Sequence, residues 1–281
     1  MSNYWEDRWE RQKKFLLGKT INQTENHLAT LYKKAMKDTE KELKSLLYEI
    51  DFESGDRIID IYKYNRYWEV RNDVNERLRQ LGQEESKQLS KDFLDMYVKV
   101  QEYFNIHPKV MARTQRGLVK EMTMRPMDLK SPIVGENAMK VVSSVWCKDG
   151  KNWSDRVWTH IDQLQQDLEQ GLTNIVATGA NPDKLTSELS KTYNVNYRQA
   201  QTLVRTELSH IYNQASLDRY AENGIYFYEW LTAGDERTCE DCAELNGKVF
   251  SIEEAIEGDN QPPLHPNCLC TVIPVLGGDN V

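Results

Sequence analysis

The sequence predicts a mostly α-helical protein that ends in a small β-rich module. Two observations support this fold class. Apolar residues recur at steps of three and four through most of residues 1–222, and short aromatic or β-branched runs follow. With 281 residues, 39% of them hydrophobic, the chain is long enough to bury a substantial core. We therefore expect helical N-terminal and central regions and a C-terminal module of different character.

The helical part contains three apolar stripes, each with the spacing of one helix face. Asn181-Pro182 predicts a helix start, with a short helix to about Thr192 and another from about Asn196 to the Asn223-Gly224 stop. The stripes are expected to form core, because they lack the converging polar groups of a cofactor site. Their members are Leu28, Leu31, Ala35, Leu43, Leu46 and Ile50; Leu89, Phe93, Met96, Val100 and Phe104; and Val157, Ile161, Leu164, Leu168, Leu172 and Ile175.

Three runs after Gly224 predict short strands. Residues 225–233 are rich in aromatic side chains, Asn246-Gly247 forms a turn that leads into residues 248–250, and residues 271–275 are mostly β-branched. The helical spacing of apolar residues therefore ends at about residue 224, where the predicted β-rich module begins.

Prolines in the middle of the chain suggest a boundary or an exposed arm over residues 105–135. The predicted organisation has three parts. Residues 1–130 form a helical region with a basic arm near 109–130, residues 131–224 form a second helical part, and residues 225–281 form the β-rich module and tail.

Charge is distributed unevenly along the chain. The net charge is −8, but residues 1–130 carry 25 Lys and Arg against 22 Asp and Glu, whereas residues 131–281 carry 11 against 22. An acidic C-terminal half repels polyanions, so any nucleic-acid contact is expected from the N-terminal half. No run approaches the roughly 20 apolar residues of a membrane span, and we expect neither secretion nor membrane insertion.

The basic arm is the candidate nucleic-acid contact. It holds six cations against Glu121 and Asp128, a local charge of +4 in an acidic protein, and could contact the phosphates of double-stranded DNA. A solvated helix face, or a patch facing an acidic protein partner, remains the alternative. The six residues are Lys109, Arg113, Arg116, Lys120, Arg125 and Lys130.

Four of the five cysteines lie in two clusters that predict one structural zinc ion. Cys239 and Cys242 have the C-x2-C spacing of a metal-binding knuckle, and His265, Cys268 and Cys270 follow. The preferred ligands are Cys239, Cys242, His265 and Cys268, with Cys270 as the alternate, because Cys268 and Cys270 would point to opposite faces of an extended run. Four nitrogen and sulfur ligands leave no open position, which indicates structure rather than catalysis.

Other interpretations of the cysteines remain. A disulfide or redox pair at Cys239 and Cys242 would not need the His265 cluster, and the thiols could be unbound. A zinc deaminase would require an H-x-E motif, which does not occur. Cys147 stands alone and is expected to pack as a small hydrophobe.

Several motifs in one order give the sequence a specific resemblance. Arg205-Thr206-Glu207, the run from Trp230 to Cys242, and Pro262 to Cys270 are similar to the Mu F-like minor head protein family of tailed phages. The resemblance covers about residues 170–275. The sequence departs from the family at Leu269, where arginine is usual, so a role for that arginine is in doubt here.

The resemblance implies a non-enzymatic virion protein that is associated with the portal vertex. Such a protein would contact portal and other head proteins, would act in head assembly or DNA delivery, and would pass through the host cytoplasm during assembly. The residues agree, because no nucleophile, base and oxyanion donor come together. Two rivals are a phage-carried enzyme, either an HNH-like nuclease or an ADP-ribosyltransferase, and a free DNA-binding regulator.

Overall fold

The computed structural model describes residues 4–54, 65–114, 116–177, 182–232 and 238–277. These residues form six helices and five strands, and the mostly α fold class is confirmed. The helices are α1 (Tyr4–Ser54), α2 (Asn65–Ile106), α3 (Pro132–Ser143), α4 (Trp153–Ala177), α5 (Pro182–Glu222) and α6 (Glu240–Leu245); the strands are β1 (Lys109–Thr114), β2 (Val119–Thr123), β3 (Phe227–Leu231), β4 (Val249–Ser251) and β5 (Thr271–Leu276).

Most residues of the apolar stripes lie inside the protein, as predicted, whereas Leu31 and Ala35 are half-buried. All five stripe residues of α2, from Leu89 to Phe104, are at most 1% exposed. Leu28, Leu43 and Leu46 of α1 and the α4 stripe from Val157 to Leu172 are also buried. The side chains of Ile50 and Ile175 fall outside the described residues.

Helix α5 differs from the prediction, since it is one helix rather than two. It continues from Pro182 to Glu222, and Asn196 in its middle donates to the Thr192 carbonyl at 3.3 Å. No glycine or proline interrupts residues 193–196, so nothing in the backbone forces a break there. The predicted stop is confirmed, because Gly224 has a φ of 75°, a left-handed conformation in which a Cβ would be strained.

The five strands form one sheet in the order β2-β1-β5-β3-β4. Strand β1 pairs antiparallel with β2 and parallel with β5, while β3 pairs antiparallel with both β5 and β4. The three predicted strands are confirmed as β3, β4 and β5. Residues 109–123, expected to belong to an exposed arm, instead supply β1 and β2. Three consecutive buried residues from Val110 to Ala112 explain why β1 joins the sheet.

Contacts group the chain into two compact units. Unit 1 comprises residues 1–24, 89–153 and 202–281, and unit 2 comprises residues 25–88 and 154–201. Unit 1 contains the whole sheet and takes residues from all three predicted segments.

Trp9 shows why the start of the chain belongs to unit 1. Its ring packs with Met111, Leu231 and Ile273, and its indole N–H donates to the Met111 carbonyl at 3.2 Å. The first turns of α1 are therefore part of the packing of the sheet. None of the helices in the described part of the chain has a stretch long and apolar enough to cross a lipid bilayer.

Candidate metal centre

The first pair of thiols lies at the start of α6. Cys239 is the N-cap residue of this helix, and its Sγ accepts a hydrogen bond from the Cys242 amide at 3.4 Å. The Cys242 side chain is 1% exposed. The C-x2-C pair therefore lies within the first turn of α6.

The second cluster lies on the loop that leads into β5. The Cys268 amide donates to the His265 carbonyl at 3.1 Å, and Asn267 between them has a positive φ of 60°. His265 Nδ1 lies 2.9 Å from the Pro266 carbonyl oxygen, which makes Nδ1 the protonated nitrogen. Nε2 then carries the lone pair, and it lies 3.5 Å from Cys242 Sγ. Such a backbone hydrogen bond is the usual way of orienting a metal-binding imidazole.

The distances between these atoms fit one tetrahedral ion. Zn–S bonds of about 2.3 Å and Zn–N bonds of about 2.0–2.1 Å place neighbouring sulfurs about 3.8 Å apart, and nitrogen and sulfur about 3.6 Å apart. Cys242 and Cys268 Sγ are 3.8 Å apart, and Cys242 Sγ and His265 Nε2 are 3.5 Å apart. The side chains therefore have the spacing of metal ligands.

Two overlapping triplets could hold a metal ion. Cys239, Cys242 and His265 form one, Cys242, Cys268 and Cys270 form the other, and within each triplet the ligand atoms lie within 4.8 Å of one another. Cys242 belongs to both. Cys147 belongs to neither, and none of the five cysteines forms a disulfide.

Cys268 and Cys270 do not point to opposite faces of an extended run, as the sequence predicted. Strand β5 begins only at Thr271, and the loop before it places the Cys268 and Cys270 thiols in the same cluster. Five side chains thus lie close enough together to bind a metal ion that takes four ligands. The set Cys239, Cys242, His265 and Cys268 stays a prediction, with Cys270 as its competitor.

The centre is enclosed by apolar side chains. Trp230 is fully buried against Cys242, Cys268 and Cys270, and Leu245, Phe250 and Leu264 pack around them. Burial raises the pKa of the Cys242 thiol. A hydrogen bond from Cys270 is the largest of the effects that lower the pKa of Cys268 to about 5. The deprotonated form that a metal ligand requires is therefore favoured more at Cys268 than at Cys242.

Four residues of unit 1 position this loop and were missed by the sequence analysis. The Cys270 carbonyl accepts hydrogen bonds from both Lys13 and Asn213. Thr271 Oγ1 donates to Asn213 Oδ1 at 3.1 Å, and Thr206 Oγ1 accepts from the Asn267 amide at 3.0 Å. Lys13 could have been noticed, since it lies between Trp9 and Leu17 on the apolar side of α1, where an ordinary surface lysine would not occur.

The six basic residues proposed for nucleic acid fall into two groups. Arg113 Nε lies 2.7 Å from Glu229 Oε2, Lys109 pairs with Glu121 at 3.2 Å, and Arg125 donates to the Glu222 carbonyl at 3.2 Å. Arg116, Lys120 and Lys130 have exposed side chains. Arg113 is thus held within the sheet, whereas Lys109 and Arg125 make their contacts at the surface, where Arg116, Lys120 and Lys130 also lie.

Glu207 of the Arg205-Thr206-Glu207 motif is a buried carboxylate. Its side chain is 4% exposed and accepts a hydrogen bond from the Trp146 indole at 3.1 Å, whereas Arg205 two residues earlier faces solvent. Thr206, between them, makes the contact to the metal loop. This arrangement agrees with a packing role for the motif.

Comparison with known proteins supports the resemblance found in the sequence. Residues 163–273 match the family described as Phage Mu protein F like protein, a segment that includes α5 and every candidate metal ligand. The resemblance to the Mu F-like family is therefore confirmed over this segment. No solved structure matches the chain.

Two curated proteins are similar to the chain. A protein of Enterococcus faecalis named NAD(+)–arginine ADP-ribosyltransferase EFV is 23% identical over 291 residues, which cover 97% of this chain and 55% of that protein. An uncharacterized protein of Haemophilus influenzae is 27% identical over 117 residues, 42% of this chain and 25% of that protein. The chain spans about half the length, or less, of these relatives.

Proposed function

Because residues 163–273 are a Phage Mu protein F like segment, we propose that the chain is a minor head protein of a tailed phage. It acts at the portal vertex in head assembly, contacts portal and other head proteins, and contributes to DNA delivery. The family match is the observation on which this proposal rests. The protein resides in the virion and, during assembly, in the host cytoplasm.

The metal in this proposal is one structural zinc ion. Sulfur and imidazole ligands suit zinc, and a closed set of four leaves no position for a substrate or an activated water. The spacing of Cys242, His265 and Cys268 and the apolar surroundings support this assignment. The ion would join the start of α6 to the loop before β5. It would thus hold together the two ends of residues 243–264, which connect these ligand clusters.

The location in the virion can be measured directly. Quantitative mass spectrometry of purified virions of the phage that encodes the chain should find it in far fewer copies than the major shell protein. A second measurement after DNA ejection should show whether it leaves with the genome. If the protein is absent from intact virions but abundant in infected cells, the minor head assignment is wrong.

We expect any DNA contact to come from Arg116, Lys120 and Lys130. These side chains are exposed, whereas Arg113 is held by Glu229 and contributes to the packing of the sheet. Replacing the three residues with alanine would remove up to three phosphate contacts. The slope of log affinity against log salt on duplex DNA should then fall by about 0.9 per contact.

A matched variant separates this effect from general loss of charge. Lys33, Lys34 and Lys37 on α1 are also exposed, and their replacement with alanine should leave the salt slope unchanged. Equal slopes for all three proteins, or no binding at low salt, would show that residues 109–130 serve assembly rather than DNA.

An enzyme is the second candidate, because the Enterococcus faecalis relative is named an ADP-ribosyltransferase. Glu207 is buried, which disfavours a role in ADP-ribosyl transfer. Among the described residues, His265 is the one histidine of the metal centre, whereas an HNH-like nuclease needs a paired catalytic residue beside it. Incubation with NAD and agmatine, or with duplex DNA and Mg²⁺, should give no turnover above background. Turnover abolished by Glu207→Gln or His265→Ala would favour the enzyme.

A further inference from the structure

A cleft on unit 1 lies between α5 and the segment of residues 252–261. Its volume is about 380 Å³, which falls in the range of small-ligand sites. Its lining combines apolar side chains, namely Leu217, Ile252, Ala255 and Ile256, with the polar or aromatic side chains of Trp146, Gln214, Glu257 and Gln261. Ile256 is 59% exposed, so the lining includes an apolar side chain that faces solvent.

The side chains of the cleft are held in place by hydrogen bonds. Gln261 is 1% exposed and donates through Nε2 to Gln214 Oε1 at 2.7 Å. Gln214 in turn donates to Asp218 Oδ1 at 2.7 Å. The Tyr228 hydroxyl donates to the Asn260 carbonyl at 3.0 Å, which ties the segment to β3. The lining is thus already ordered, and binding to an ordered site loses less conformational entropy.

Trp146 is the aromatic side chain of the cleft, and two buried residues of α5 hold it. His210 stacks on its ring, with the centroids 4.9 Å apart and an angle of 15° between the planes. Glu207 accepts a hydrogen bond from its indole N–H at 3.1 Å. Because Glu207 and His210 are three residues apart, they lie on the same face of the helix. The buried carboxylate of Glu207 therefore fixes the orientation of an aromatic ring.

Glu257 supplies a negative charge to the cleft. Its side chain is 23% exposed, and its Oε1 lies 3.8 Å from His210 Nδ1, a buried nitrogen with no hydrogen-bond partner in the described part of the chain. Burial lowers the pKa of His210 to about 4, so the imidazole is neutral near pH 7. Burial, and then the charge of Asp218, raise the pKa of Glu257 to about 7. A cation at this carboxylate would stabilise its ionised form.

We propose that this cleft binds an arginine side chain presented by a partner protein. A guanidinium group is planar, so it can pair with the Glu257 carboxylate and stack on the Trp146 ring, which an ammonium group does less well. The apolar lining would contact the aliphatic stem of the arginine. The residues that flank this arginine would cover Ile256. The inference rests on the proposed function for the identity of the partner, which would be another head protein.

The test uses the full chain and a blocked amino acid as the probe. N-acetyl-arginine amide presents the side chain as a protein does, and N-acetyl-citrulline amide has nearly the same shape without the charge. Binding is followed by amide and indole NMR signals, with the Trp146 indole signal identified by its loss in Trp146→Phe. We expect the arginine probe to shift this signal and the amides of residues 252–261. The citrulline probe should bind at least about ten-fold more weakly.

Matched variants locate the binding site. Glu257→Gln keeps the size of the side chain and removes its charge, and it should weaken binding of the arginine probe by about ten-fold, the effect of losing one charge-assisted hydrogen bond. Glu253→Gln makes the same change at an exposed position of the same segment and should bind as the wild type does. Trp146→Leu should also weaken binding, because the stacking surface is lost. Unchanged amide signals from the five-stranded sheet show that each variant is folded.

The outcomes separate this inference from the proposed function. No shift with the arginine probe, equal affinity for the citrulline probe, or equal weakening by Glu257→Gln and Glu253→Gln overturns the inference. Tighter binding of free arginine than of the blocked probe would indicate a small-molecule site and overturns the protein contact. None of these results affects the location of the chain in the virion. Absence from virions would instead exclude a head protein as the partner, even if the cleft binds the probe.

Discussion

Replacing Cys242 with serine should remove the bound zinc and unfold the region around it. Cys242 is the one thiol shared by both ligand triplets, and it is almost fully buried. Its Sγ is separated from His265 Nε2 and from Cys268 Sγ by the distances expected between two ligands of one metal ion. Loss of a structural metal is one of the few single changes that exceed about 4–5 kcal/mol, so we expect a decrease of at least that size in the free energy of unfolding.

We expect the loss of order to begin in the residues around the metal centre. The metal would connect residues 238–248 to residues 262–270, whereas β3, β4 and β5 also pair within the five-stranded sheet. Hydrogen exchange should therefore accelerate most over residues 238–248 and 262–270. Zinc content by elemental analysis should fall from close to one equivalent to near zero.

Cys147 offers the control for this experiment. It is half-buried and lies outside both triplets, so Cys147→Ser should retain its zinc and its exchange pattern. Cys242→Ser protein that still carries a full equivalent of zinc would contradict the assignment. Comparing His265→Ala with Cys270→Ser would then identify the fourth ligand, because the residue outside the set should be replaceable without loss of metal.

Replacing Arg219 with methionine should give the second-largest effect. The Arg219 side chain is 1% exposed, and it donates to Asn105 Oδ1 at 2.8 Å and to the Arg125 carbonyl. It thereby joins α5 to the end of α2 and to the segment after β2. Methionine fills the space but removes two part-buried hydrogen bonds from a charged donor, so the free energy of unfolding should fall by about 2–4 kcal/mol.

The measurement is chemical denaturation of the zinc-loaded protein, with Arg79→Met for comparison. Arg79 pairs with Glu76 one helical turn away on an exposed surface, and such pairs contribute little to stability. The midpoint of Arg79→Met should therefore stay near that of the wild type. Equal midpoints for the two variants would mean that solvent replaces the Arg219 contacts without cost.

Local patterns in the sequence were enough to predict several parts of this protein. The periodic stripes of α2 and α4 are buried as expected, since a helix with one apolar face must cover that face. Gly224 ends a helix, and the runs after it are strands, because these choices depend on backbone propensity over a few residues. The spacing of the Cys and His residues also predicted that their side chains come together, as they do in the two triplets, whereas their role as zinc ligands stays a prediction.

Only the tertiary structure decided which distant segments meet. Residues 109–123 carry charges that suggest an exposed arm, but pairing with β5 converts them into strands of a sheet whose hydrogen bonds join residues more than 150 positions apart. The same contacts turn Arg113 toward Glu229 and bring Trp9 and Lys13 to the sheet and the metal loop. Such pairs cannot be predicted from local sequence patterns. A strand edge or a backbone carbonyl can accept a hydrogen bond from many kinds of donor, so neither partner carries a pattern that identifies the other.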